Sequence, residues 1–421
     1  MIDYLKKLTI KNAGFDIIDR GDCQLLSELI IEKTDETVSY NTLRRMFGLA
    51  SYVKPSKSTL DTLARFNGYK NYIHYLKINP FEAYWSDKEQ LYSLINDESE
   101  EIIKFVNTAG FKNEHALDFM ISLCRELIYL NKIEELEHVF QSNFFNNRDF
   151  SYSEIIHFGN SVGILFKTKQ VFENKLLSNA NFLKFVYTIH VDYSGLNGYY
   201  GTWCKYVSEN TTDIQVKYFS QAILQLINYL NGKSVSYTDF DSVDTAAFHP
   251  ILKGRLFSVK ILSGDYNSYD VNKFFNSIKI SNDSNNLLDY FYEPMITAII
   301  SRNFLLMGLI KKFLSNQKFN IKYYYQEHHR ELYELMCLFH SYYLDKEFIN
   351  KDEIENNILK SEFKYSYKEI IQLFIAVYNY HNDKNDSNTH FKKFEAISKK
   401  LNYPIFLKEY LINYFESTNI N

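Results

Sequence analysis

Cysteine and histidine side chains, the groups best suited to hold a transition metal, gather in the stretch EHHRELYELMCLFH, which carries His328, His329, Cys337 and His340. Cys337 and His340 stand three residues apart and would share a helix face. A structural zinc centre needs four ligands closing a tetrahedron, and neither CxxC nor HExxH spacing occurs in the chain. The pattern reads as a cysteine and histidines packed in a helix, and no metal is expected. Two glycine runs raise phosphate chemistry. GLNGYYG (195–201) has G-x-x-G-x-x-G spacing, but a phosphate cradle needs a strand before it and a helix opening on the glycines. The preceding FLKFVYTIHVDY is apolar enough for a strand, yet no mononucleotide unit follows, so the run reads as an inter-helix loop. Asn231-Gly232-Lys233-Ser234 matches the end of a Walker A loop, but Ile227 stands where its first glycine belongs. That stretch reads as a helix terminus with a capping glycine. Acidic runs such as Glu134, Glu135 and Glu137 suit a solvated helix face. With no nucleophile elbow, kinase set or nuclease signature, the chain is expected to be a non-enzyme without a cofactor.

Charge is where the chain becomes informative. The net charge is −4 over 421 residues, but residues 39–78 hold seven basic side chains (Arg44, Arg45, Lys54, Lys57, Arg65, Lys70, Lys77) against one acid, Asp61. Residues 79–421 are net acidic. A local basic patch on an acidic chain suits a polyanion partner at one end only. The four cysteines are scattered, which fits free or buried thiols in a reducing compartment. The N-terminus lacks a signal-like apolar core, and no run of 18 apolar residues exists. A cytoplasmic protein that does not enter a membrane is expected.

These basic residues need elements to position them. Ile2–Thr9 is expected to form a short first helix. Asp22 is a plausible N-cap for CQLLSELIIEK, and TDETV follows as a polar connection. Ser39 caps the next helix, with Leu43, Met46 and Phe47 inward and Tyr40, Asn41, Arg44 and Arg45 on the opposite face. Gly48 sits where a left-handed cap is wanted. After LASYVKP, Ser56 or Ser58 caps a helix whose Leu60, Leu63 and Ala64 are inward, and Gly68 ends it. Asn71 opens a last turn in which Tyr72, Ile73 and Leu76 close the core. The order Ser-x-x-Thr-Leu-Arg-Arg-x-x-Gly, then Pro-Ser-x-x-Thr-Leu-x-x-Leu-Ala-x-x-x-Gly-Tyr, resembles the lambda-repressor (Xre) type of helix-turn-helix over about residues 20–76. It also looks like a leader domain found on bacterial proteins of mostly unknown function. The resemblance implies that the first block is the recognition helix, with Tyr40, Asn41, Arg44 and Arg45 at its groove-facing positions. The connection TDETV is longer than the usual turn of that family.

Beyond Asn79-Pro80, where the residue before proline resists helix, amphipathic segments of roughly 10–22 residues recur with short polar connections, among them 86–96, 171–189 and 351–361. Only 14 Gly and 5 Pro occur, which favours long helices over a strand-rich fold. The 35 Tyr and 34 Phe read chiefly as buried area in an aromatic-rich core. The expected fold is all-α: a small N-terminal helix-turn-helix domain (1–78) and an irregular, tetratricopeptide-like helical-repeat domain (79–421), with a candidate division near 191–212.

The architecture resembles peptide-sensing regulators that join an Xre-type head to tetratricopeptide-like repeats. It implies a bacterial cytoplasmic transcriptional regulator touching double-stranded DNA through residues 39–78, with a helical-repeat domain for sensing and dimerisation. Arg44, Arg45, Lys54 and Lys57 would meet phosphates, and Tyr40 and Asn41 would face bases. A peptide or protein partner would occupy the repeat groove, and a homodimer is compatible with this arrangement. The alternative is a non-catalytic interaction scaffold or adaptor whose N-terminal domain does not bind DNA.

Overall fold

In the computed structural model, the described residues are 2–51, 53–76, 89, 91–95, 99–108, 116–146, 149–169, 173–237, 240, 244–245, 247–281, 284–317, 321–323, 325–345 and 367–416. Every regular element among them is helical, as the periodicity predicts. The expected boundary at Asn79-Pro80, the helix expected over 351–361 and Lys77 lie outside the described residues. The chain forms two compact units, Met1–Glu98 and Ser99–Asn421.

The first unit contains α1 (Ile2–Ala13), α2 (Arg20–Thr34), α3 (Tyr40–Met46) and α4 (Lys57–Phe66). Its core joins Leu5 of α1, Leu26 and Ile30 of α2, Leu43 of α3 and Leu63 of α4, all fully buried. Each such side chain contributes about 1.5–3 kcal/mol of hydrophobic stabilisation. That burial matters most for α3, because a helix of 7 residues is too short to persist alone. Ser39 caps it as expected, its hydroxyl accepting the Thr42 N–H. Ser56 likewise caps α4 through the Thr59 N–H. Gly48 and Gly68 take positive φ (83° and 88°) after the two helices, a region only glycine enters without strain.

Three local expectations change. The cap of α2 is Asp19, and Asp22 is the reciprocal partner three residues in. Its carboxylate takes the N–H groups of Ile18 and Asp19, which lower its pKa. The first helix runs on to Ala13 rather than ending at Thr9. In the last turn Ile73 is 50% exposed, and Tyr75 fills the core in its place. The Asn71 carboxamide and the Asp61 carboxylate accept the His74 and Tyr72 N–H groups there, and this rotates the turn.

The second unit is built on the helix Leu287–Ile300, which is buried on nearly all sides. It packs against Pro250–Ser263, Phe304–Ser315 and Gln326–Asp345. A Cβ at Gly254 would stand 2.3 Å from the Tyr290 carbonyl, so glycine permits this close crossing. Of the segment expected over 171–189, the described residues 173–189 are broken into short helical turns ending in a π-helical turn, Leu183–Tyr187, rather than a strand or one long helix. Tyr199–Asn210 is a helix where a division between subdomains was expected. The tyrosines fill volume and also bond: the Tyr410 and Tyr414 hydroxyls donate to the Ile300 and Ile299 carbonyls at the end of the central helix, each at 2.7 Å. No helix among the described residues is long and apolar enough to cross a membrane.

Candidate functional site

The first candidate is the outer face of α3 and the loop after it. Asn41, Arg45, Lys54 and Lys57 are exposed, while Tyr40 and Arg44 are half-buried. The structure therefore brings four of the six sequence-selected residues, Tyr40, Asn41, Arg44 and Arg45, onto one short helix. Lys54 and Lys57 stand beyond it, before and at the start of α4. Arg44 Nη1 donates to Asn41 Oδ1 at 3.5 Å, a long bond that leaves both groups largely available. Among the described residues no carboxylate pairs with Arg44, Arg45, Lys54 or Lys57. Arg65 differs. It donates to Glu36, whose other donor is the buried Thr62 hydroxyl. Those two hydrogen bonds hold the Glu36 pKa down. Arg65 thus ties the α2–α3 connection to α4 instead of adding to the free basic surface.

One member of this face lies outside the basic stretch. The Arg20 guanidinium stacks 5.0 Å over the Tyr40 ring, and its Nη2 reaches the Tyr40 hydroxyl at 3.3 Å. Arg20 opens α2, twenty residues upstream, so spacing along the chain gave no sign of it. The stack orients the Tyr40 ring and adds a cation beside it.

The second candidate is a cavity of about 740 Å³ within the second unit, in the range that takes small organic ligands. Its wall includes Tyr152, Phe219, Tyr292, Leu252, Lys184 and Arg255, together with the start of the helices Ile214–Leu230 and Pro250–Ser263. Behind the wall lies a buried polar network. Arg255 Nη2 donates to Glu293 Oε1 (2.6 Å) and to the Tyr193 hydroxyl (2.7 Å). Tyr193 passes a hydrogen bond to the same carboxylate oxygen at 2.6 Å, and Tyr367 donates to the other at 2.7 Å. Burial alone would lower the Arg255 pKa, but Glu293 and the two phenols reverse this and hold it well above its ordinary value. Burial pushes both tyrosines up, so they remain protonated donors. His249 caps Pro250–Ser263 through Nδ1, and burial lowers its pKa, keeping it neutral as an acceptor. No motif in the chain points to this site, because its residues come from separate helices and share no spacing.

The motifs weighed for chemistry resolve into packing. His329 Nδ1 lies 2.9 Å from Asp289, His328 pairs with Glu331, and His340 packs at Gly308, so these groups do not converge with Cys337. In GLNGYYG, Gly198 precedes the helix Tyr199–Asn210, and the loop is fixed by Asp192, which accepts the Ser194 N–H and hydroxyl. Gly232 takes φ 67° just past the end of Ile214–Leu230, as a terminal glycine should. Asp383, Asp386 and His390 place three possible ligand atoms within 4.8 Å of one another, a grouping absent from the sequence-based expectation. The chain matches no family model, and comparisons with curated proteins and with solved structures return no match.

Proposed function

We propose that this chain is a bacterial cytoplasmic DNA-binding regulator. Its N-terminal unit would contact duplex DNA and its second unit would act as a helical sensor and dimerisation domain. The observation that supports this reading most is the cationic surface of α3 and the loop after it, with no carboxylate paired to it among the described residues: Arg45, Lys54 and Lys57 exposed, Arg44 half-buried, and Tyr40 braced by Arg20. A short helix and following loop that expose cations and an amide side chain offer groups suited to a phosphate backbone and base edges. Arg44, Arg45, Lys54 and Lys57 would take phosphates, and Asn41 and Tyr40 would face bases. A dimer would present two such helices to half-sites about 34 Å apart. A peptide or small ligand held by the second unit would shift the population of DNA-competent dimers.

The test is an electrophoretic shift titration on mixed-sequence and selected duplexes over a range of salt. Each phosphate contact contributes about 0.9 to the slope of log K against log salt. Arg44→Ala/Arg45→Ala should flatten that slope by about 2 units and weaken binding to all sequences. An unchanged affinity and slope would remove DNA contact from this face and favour the adaptor reading.

A further inference from the structure

We propose that the cavity of the second unit binds a small amphiphilic anion: an aromatic or acyl body carrying one carboxylate, phosphate or sulfonate group. Three observations on different parts of the wall converge. The first is Arg255. It is 5% exposed, and its Nε is buried without an acceptor, although burying a charged donor unbonded is costly. Its Nη2 edge is already committed to Glu293 and Tyr193, and the plane lies 4.5 Å over the Phe219 ring, itself part of the wall. Glu293 accepts three hydrogen bonds through its two oxygens, so its charge is shared with two phenols as well as with Arg255. Arg255 is therefore a fixed, permanently charged side chain among the residues that line the cavity, with bonding capacity that the protein leaves unused.

The second observation is the dipoles. Two helices, of 17 and 14 residues, begin at the cavity, and helix N-termini favour negative charge. The one carboxylate among the lining residues, Asp213, is engaged by the N–H groups of Gln215 and Val216 at one of those termini. Lys184 is exposed on the wall and adds a second cation. Third, most of the remaining wall is apolar, with Tyr152, Tyr292, Phe219 and Leu252, beside polar groups such as Asn181 and Thr212. A bare inorganic anion would leave most of about 740 Å³ unfilled, so a body as well as a charged head is required.

This deepens the sensor part of the proposed function and rests on it only for the consequence at DNA; the binding itself is a property of the chain alone. The probe is anilinonaphthalenesulfonate, compared with phenylnaphthylamine, which has the same aromatic framework without the sulfonate. Fluorescence titrations are run on the full chain with no DNA present. The sulfonated dye should saturate one site per chain and bind at least about tenfold more tightly than the neutral dye, as a charge-assisted bond predicts. Arg255→Met should remove most of that preference. Lys184→Glu, at an exposed position that does not enter the core, should reduce it severalfold and keeps the test valid if Arg255→Met fails to fold by circular dichroism. Equal binding of both dyes, or a preference that survives Lys184→Glu and any folded Arg255→Met, overturns the inference. Failure of the DNA titrations leaves these dye measurements untouched, so the two readings fall separately.

Discussion

Arg45 and Arg255 are the same residue in opposite surroundings. Arg45 stands in water on α3, among cations without counter-charges, and its guanidinium is free to meet a partner. Arg255 is buried, held by a carboxylate and a phenol and stacked on an aromatic ring. In water a charge costs little to place and gains little from the fold. In the interior it must be paired, and once paired its removal leaves its partner stranded. The first unit therefore displays charge at small cost to stability, while the second uses charge to fix one packing of its core.

Substitutions that exchange these roles should separate the two units. Arg255→Met leaves the Glu293 carboxylate buried with two phenols and no cation, and should cost about 3–5 kcal/mol in urea unfolding. A loss under 1 kcal/mol would show that water reaches Glu293 and that the network is not interior. His190 gives a pH readout of the same interior. It is 7% exposed, packs against Gly163, and neither ring nitrogen is bonded. Burial pushes its pKa down to about 4, with Asp192 opposing and Lys167 assisting. The folded state keeps the ring neutral while the unfolded chain takes a proton below about pH 6.5. Stability is therefore full above pH 6.5 and falls as pH drops from there towards 4. Between pH 7 and 5 the loss should be about 2 kcal/mol, read as the difference between wild type and His190→Gln. Parallel pH profiles for the two proteins would place the imidazole in contact with water.

Smaller effects belong to the first unit. Ser39→Ala removes the cap of α3 and should cost about 1 kcal/mol by thermal unfolding. It should also weaken DNA binding, because it loosens the helix that carries Asn41, Arg44 and Arg45. Arg44→Ala/Arg45→Ala should change stability by no more than about 0.5 kcal/mol while altering the salt slope. A large loss of stability in that double variant would mean that these arginines support the fold, and the contrast with Arg255 would collapse.

Much of the first unit was legible because its signals are local. Ser39, Ser56, Gly48 and Gly68 cap and terminate their helices as their positions suggest, and Leu43, Met46, Leu60 and Leu63 face inward at helical spacing. The misplacements are also local competitions. Asp19 and Asp22 both suit a helix start, and only the chain direction before Arg20 decides which one caps. Tyr199–Asn210 fell within the expected division near 191–212, and its first residues within the expected loop 195–201. Its helix is held by Tyr200 and Trp203 in the core, which spacing alone does not reveal. The six residues proposed to meet DNA were selected together and four share α3, but the bracing Arg20 and the diversion of Arg65 to Glu36 were not legible.

By itself the sequence determined the all-α class, the caps and apolar faces of α3 and α4, and a concentration of positive charge in residues 39–78. These follow from short-range rules, since a helical hydrogen bond spans four residues and a face repeats every 3.6. Tertiary structure alone decided which charges are spent and which are free. Arg65 meets Glu36 across 29 residues, Arg255 meets Glu293 across 38, and Tyr367 reaches that carboxylate across 74. Those pairings exist only after the helices pack. Desolvation then makes each buried charge find its partner, wherever in the chain that partner lies.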